Sequence, residues 1–234
     1  MHAPPPGLRA LTLDLDDTLW PVWPAIERAE AALHEWLRTH APGTAARFDT
    51  ADLRRLREAV GRAHPSRSHD LSWLRRHSIE QALSAAGEDP GLADPAFELF
   101  FEHRQRVDLY PDVPEALRRL AARFPVLALT NGNADLRRIG LAGHVQGTLG
   151  ALEFGQGKPA PAFFHAACQR LDCAPHEVLH IGDDWRLDVE GALGAGLQAV
   201  WVHRPGQARR PEGARGDGVR QVADLTELAD WLGA

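Results

Sequence analysis

Short apolar runs and longer amphipathic stretches alternate along this chain. Residues 10–15, 126–130, 178–181 and 198–202 are nearly continuous apolar runs of strand length, the pattern of strands buried on both faces of a parallel sheet. Between them, 113–123 places Val113, Leu117 and Leu120 at helical spacing, and 162–171 follows a Pro-rich start. A further helix over 185–195 ends at Gly196, a residue suited to a left-handed cap. Strands alternating with helices predict an α/β sheet joined by right-handed crossovers.

The stretch 20–109 breaks that rhythm and contains no strand-like run. Ile26, Ala29, Leu33, Trp36 and Leu37 share one helical face, and so do Leu53, Leu56 and Val60. Leu71, Leu74, Phe97, Phe100 and Phe101 continue the apolar faces, with breaks at Pro42-Gly43 and over 87–95. The chain therefore divides into a sheet domain, 1–19 with 110–234, and an inserted helical domain, 20–109. Inserts of this kind leave from the carboxyl ends of strands, where α/β proteins bind ligands, so a lid over a site is expected.

Composition narrows the function. Of 234 residues, 44% are apolar and 25% charged, enough for a buried core, and the formal charge of −6 argues against nucleic acid as a partner. Cys168 and Cys173 alone make no disulfide framework. No apolar run is long enough to cross a bilayer, and the first residues lack a secretory pattern, so a cytoplasmic protein without a membrane partner is expected. The twelve histidines show no zinc-binding spacing. The Arg- and Pro-rich stretch 204–218 reads as a solvated surface loop, and its Arg215-Gly216-Asp217 triplet as part of that loop rather than an adhesion signal.

The candidate chemistry lies where strands end. The first strand runs into Asp14-Leu15-Asp16-Asp17-Thr18, a crowding of carboxylates that raises their pKa values unless a cation or donors compensate. The second apolar run ends in Thr130-Asn131-Gly132-Asn133, groups that donate hydrogen bonds beside a glycine that lets a ligand approach the backbone. Gly157-Lys158-Pro159 supplies a cation, and the later strand ends in Gly182-Asp183-Asp184 with Asp188 beyond it. A parallel sheet brings such ends to one edge.

These four segments resemble the motifs of the haloacid dehalogenase superfamily, most of whose members are phosphatases. Asp14, Asp16 and Thr18 match its Asp-x-Asp-x-Thr turn, Thr130 its hydroxyl at a strand end, Lys158-Pro159 its lysine, and Gly182-Asp183-x4-Asp188 its last acidic motif. The resemblance implies a Rossmann-like parallel sheet flanked by helices, with the insert as an α-helical cap. It implies Asp14 as nucleophile, Asp16 as general acid and base, and Thr130, Asn131 and Lys158 on the phosphoryl group. Mg²⁺ would be held by the side chains of Asp14 and Asp183 and the carbonyl of Asp16, with Asp188 and Thr18 behind them. Asp17 and Asp184 fall at variable positions and read as surface or capping residues.

Cap segments around Asp52–Val60 and Arg76–Ala82 are similar to a bacterial subgroup acting on 5-amino-6-(5-phospho-D-ribitylamino)uracil and flavin mononucleotide. Trp20, Trp23 and Arg76 are then candidate contacts for a small phosphate ester, in a monomer or homodimer. A phosphomutase would use the same aspartyl-phosphate. A dehalogenase would lack a carboxylate at the position of Asp16. A phosphoacceptor regulator would lack an insert of this size.

Overall fold

The computed structural model describes residues 6–207, 209–214, 216 and 218–234, so Arg215 and Asp217 of the triplet lie outside the described residues. Six strands form one parallel sheet in the order β3-β2-β1-β4-β5-β6. They are β1 (Ala10–Leu13), β2 (Val126–Thr130), β3 (Gly147–Gly150), β4 (Val178–Gly182), β5 (Gln198–Val202) and β6 (Arg220–Val222). The four apolar runs of the sequence are β1, β2, β4 and β5, almost wholly buried because helices cover both faces. β3 and β6 have no apolar run and end the sheet at its two edges.

The central position belongs to β1. Its Leu13 pairs with Ala128 of β2 on one side and Ile181 of β4 on the other. Strand order reverses there, which opens a crevice at the carboxyl edge. The three strand ends nearest that crevice are those followed by Asp14, Asn131 and Asp183.

Two compact units make up the chain. The sheet unit comprises the described residues of 1–21, 109–132 and 136–234. Phe163, Phe164, Leu127, Leu129, Val178 and Val189 share its core. The helical unit comprises Val22–Asp108 and Asn133–Asp135. It is built from α1 (Val22–His40), α2 (Pro42–Arg47), α3 (Thr50–Ala63), α4 (Leu71–Ala85) and α5 (Ala93–Arg104), around Leu33, Leu37, Ile79, Leu83, Phe97 and Phe100. In the sheet unit follow α6 (Val113–Arg123), α7 (Leu136–Ile139), α8 (Ala151–Phe154), α9 (Pro161–Arg170), α10 (Gly191–Gly194) and α11 (Leu225–Leu232). The single helix expected over 185–195 is instead a π-type turn, Trp185–Glu190, running into α10. Among the described residues, no helix is long and apolar enough to cross a membrane.

The helical unit buries an ion pair that hydrophobic periodicity does not announce. Glu30 of α1 is 5% exposed and accepts from Arg75 of α4 at 3.1 Å and Arg54 of α3 at 2.5 Å. Burial pushes the Arg75 guanidinium down to about 10, and the ring of Phe100 covers it at 4.0 Å. Removing one partner of a buried pair strands the other, so Glu30→Ala should lower unfolding free energy by roughly 3–5 kcal/mol. Urea denaturation followed by helical circular dichroism measures this, and a loss near zero rejects it.

Candidate active site

The turn after β1 delivers the acids. The Asp14 backbone N–H donates to the Ile181 carbonyl at 2.9 Å, which continues the β1–β4 ladder one residue past the strand. Asp17 then takes a left-handed conformation, φ 60°, and its N–H donates to the Trp20 carbonyl at 2.8 Å. The chain reverses within this turn. Thr18 points back, its hydroxyl 2.8 Å from Asp183 Oδ1 and 3.3 Å from Asp14 Oδ2.

Lys158 is the centre of the site. Its ammonium, 3% exposed, donates to Asp14 Oδ1 and to Asp188 Oδ1, the latter at 2.7 Å. Asp188 also accepts from His180 Nε2 at 3.0 Å and, through Oδ2, from the Asp184 N–H at 2.9 Å. An ionised carboxylate only accepts, so Nε2 carries the His180 proton. Burial lowers the His180 pKa and keeps the ring neutral, so Nδ1 accepts from the Thr12 hydroxyl at 2.9 Å. A buried chain, Thr12–His180–Asp188–Lys158–Asp14, thus runs through β1 and β4. Thr12 and His180 escaped the sequence reading because a polar residue inside a strand carries no motif. Two glycines make room for it. A β-carbon on Gly182 would overlap Asp188, and one on Gly157 would overlap the Asn131 carboxamide.

The Asn131 carboxamide bonds the backbone of Lys158, donating to the carbonyl at 2.9 Å and accepting from the N–H at 2.7 Å, which uses one of its two N–H donors. Three sequence expectations change here. Trp20, a candidate contact for the ester, is fully buried and its indole donates to Asp16 Oδ1 at 2.8 Å. Arg76 is occupied within the helical unit by Asp94 at 2.6 Å, lying over the ring of Phe97. Arg204, read as part of a solvated loop, is buried. Trp23 is half-exposed, with the Arg54 guanidinium 4.6 Å from its ring. Thr130 is buried, and its oxygen accepts from the Gly132 N–H at 2.9 Å, leaving the hydroxyl proton to donate elsewhere. Asp184 caps the turn after β4, accepting from the N–H groups of Arg186 and Leu187.

The electrostatics are out of balance. Asp14, Asp183 and Asp188 bring carboxylate oxygens within 4.8 Å of one another against one ammonium. Burial, with the Asp14 and Asp188 charges, pushes Asp183 up to about 8. Burial also raises Asp14 to about 7, although Lys158 opposes it. Asp188 is held well below the ordinary carboxylate range, because Lys158 and His180 outweigh its burial. The same two carboxylates raise Lys158 despite its burial. Hard oxygen donors with too little positive charge suit a divalent cation of the Mg²⁺ type. Asp188 is already fully engaged, which leaves Asp14 and Asp183 as the carboxylates open to such an ion.

The site thus joins a lysine-bound aspartate, further acids and a buried hydroxyl at the carboxyl edge of the parallel sheet of an α/β protein. A haloacid dehalogenase-like hydrolase family profile matches residues 8–196. The chain belongs to that family. It is 37% identical, over 83% of each chain, to the 5-amino-6-(5-phospho-D-ribitylamino)uracil phosphatase YigB of Escherichia coli K12. A phosphoserine phosphatase of Thermus thermophilus is 33% identical, covering 94% of this chain and 98% of its own length. A solved structure titled 2-haloacid dehalogenase from Pseudomonas syringae pv. tomato DC3000 superposes with TM-score 0.87 at 37% identity, covering 97% of this chain and 98% of its own.

The raised carboxylates fix a pH dependence. Asp14 and Asp183 bind protons more tightly folded than unfolded, from 3.8 up to about 7 and about 8, so their contribution to stability falls as pH rises through that window. Asp188 acts oppositely, and its contribution is lost below about pH 4. In chelator, the melting temperature should therefore decline between about pH 4 and 8, and Asp183→Asn should flatten the upper part of the decline. A slope unchanged in Asp183→Asn rejects the assignment.

Proposed function

We propose that this chain hydrolyses small phosphate monoesters through an aspartyl-phosphate on Asp14. The observation that carries this reading is the buried Lys158–Asp14 contact with a second acid, Asp16, two residues on. Lys158 holds Asp14 in one orientation and draws off part of the charge that would repel an anionic ester. Asp14 attacks phosphorus as the bond to the ester oxygen breaks, and Asp16 gives that oxygen its proton. Asp16 then takes a proton from water attacking the same phosphorus, which releases inorganic phosphate and restores Asp14. The indole of Trp20 orients Asp16 for both transfers. The Thr130 hydroxyl is the donor to a phosphoryl oxygen, whereas Asn131 acts through Lys158.

Mg²⁺ would be held by the side chains of Asp14 and Asp183 and the carbonyl of Asp16, and would neutralise and polarise the phosphoryl group. The helical unit is the cap that selects the ester. The substrate we favour is 5-amino-6-(5-phospho-D-ribitylamino)uracil, after the relative of 37% identity, with flavin mononucleotide as a second ester of the same pathway. Half-exposed Trp23 is the ring in the helical unit suited to stack on a flat heterocycle. The likeness to a 2-haloacid dehalogenase of solved structure keeps carbon–halogen cleavage as the second reading. Asp16 opposes it, since a departing halide needs no proton.

Phosphate release from a panel containing the ribitylaminouracil phosphate, flavin mononucleotide and phosphoserine tests both readings, with halide release from a 2-haloacid alongside. Turnover should require Mg²⁺ and fall to background in Asp14→Asn, while Asp16→Asn should lose roughly 10²–10⁴-fold. Mg²⁺ should also raise the melting temperature of the wild type by mass action, and much less in Asp183→Asn. Halide release without phosphate release would replace this reading with the second.

A further inference from the structure

Arg204 follows β5 and contributes no motif, yet its side chain is 7% exposed. Its guanidinium donates to both oxygens of Asp112, at 2.9 and 3.0 Å, in a planar fork. The other edge donates twice to the carbonyl of Thr18, from Nη2 at 2.9 Å and from Nε at 3.2 Å. The ring of Tyr110 lies 3.8 Å from the guanidinium carbon. Asp112 is fixed in turn by the Leu225 N–H at 2.8 Å, and Arg204 with Leu225 keeps its carboxyl below the usual range despite burial. The Arg204 backbone N–H donates to Gln207, whose amide donates to the carbonyl of Asp17 at 2.9 Å. Two consecutive carbonyls of the acidic turn are thus held by one short stretch after β5.

What Arg204 holds matters because of where the Thr18 side chain goes. That hydroxyl contacts both Asp183 and Asp14. A residue clamped by two hydrogen bonds at its carbonyl cannot slide along the turn, so its hydroxyl keeps both carboxylates in register. We propose that Arg204 is a positioning residue for the phosphatase reaction: through the Thr18 carbonyl it fixes the hydroxyl that spans Asp14 and Asp183. The proposal rests on the phosphatase reading above. Lysine cannot take the place, since a fork to the carboxylate and two bonds to the carbonyl need a planar array of donors.

The test compares wild type, Arg204→Lys, Thr18→Val and the double variant by kcat, KM and melting temperature on the best phosphate ester. Arg204→Lys should lower kcat about tenfold, the loss of one charge-assisted hydrogen bond, with KM held within about twofold. The double variant should lose no more than Thr18→Val alone, because both changes act on one hydroxyl. In Arg204→Ala, added guanidinium ion should restore part of kcat. Should Arg204→Ala fail to fold, the lysine variant and its cycle decide alone. Losses that multiply in the double variant, or an unchanged kcat in folded Arg204→Lys, overturn the proposal while leaving the phosphatase reading intact. A wild type inactive on every ester overturns that reading and this one with it.

Discussion

An ammonium group buried between two carboxylates dictates much of the sheet unit's design. Lys158 can be this deep only if Asp14 and Asp188 both reach it, since a buried charge with a missing partner costs several kcal/mol. Asp14 comes from the end of β1 and Asp188 from the turn after β4, so the pair forms only when these strands lie side by side. Asn131, at the end of β2, fixes the lysine backbone from the other flank. Gly157 and Gly182 are required because the space a β-carbon would occupy is already filled by Asn131 and Asp188. The fold and the site are therefore one arrangement.

That arrangement assigns opposite electrical characters to neighbouring acids. Asp188 receives Lys158, His180 and a backbone N–H, and remains an anion at any ordinary pH. Asp14 shares the same lysine but has fewer donors, and Asp183 has the Thr18 hydroxyl and a long contact from the Gln207 amide at 3.5 Å. Asp14 and Asp188 are buried and Asp183 is half-buried, and the allotment of donors separates Asp188 from the other two. The well-served acid braces the lysine, and the under-served pair face the crevice where a cation and a phosphoryl group would meet.

The sequence disclosed the motif residues and the four inner strands, because buried parallel strands are continuous apolar runs and the acids follow them directly. It did not disclose β3 or β6. Gly147-Thr148-Leu149-Gly150 and Arg220-Gln221-Val222 are strands by virtue of the neighbour each pairs with, and nothing in their own composition demands it. The supporting polar residues were equally silent. His180 and Thr12 lie inside apolar runs, and Arg204 stands in a stretch whose arginines and prolines read as solvent-facing. Trp20 and Asn131 were noticed, but their partners Asp16 and Lys158 were not, since a side chain's type tells what it can bond to and not which partner reaches it first. The helical unit was legible as helices, while its buried Glu30 with Arg54 and Arg75 was not, because charged residues at core positions look like exposed ones in a periodicity count.

The Tyr110 N–H donates to the Leu19 carbonyl at 3.0 Å, so the chain returns to the sheet unit beside the place where it departed. The ends of the helical insertion are thereby pinned together by the sheet unit itself, and the chain-closure entropy of the insertion grows only slowly with its length. An insertion whose termini need not be brought together by its own packing can be lengthened, shortened or replaced with little disturbance to the strands beneath. Selection can then remodel the insertion as a separable module while the buried lysine and its carboxylates stay where they are.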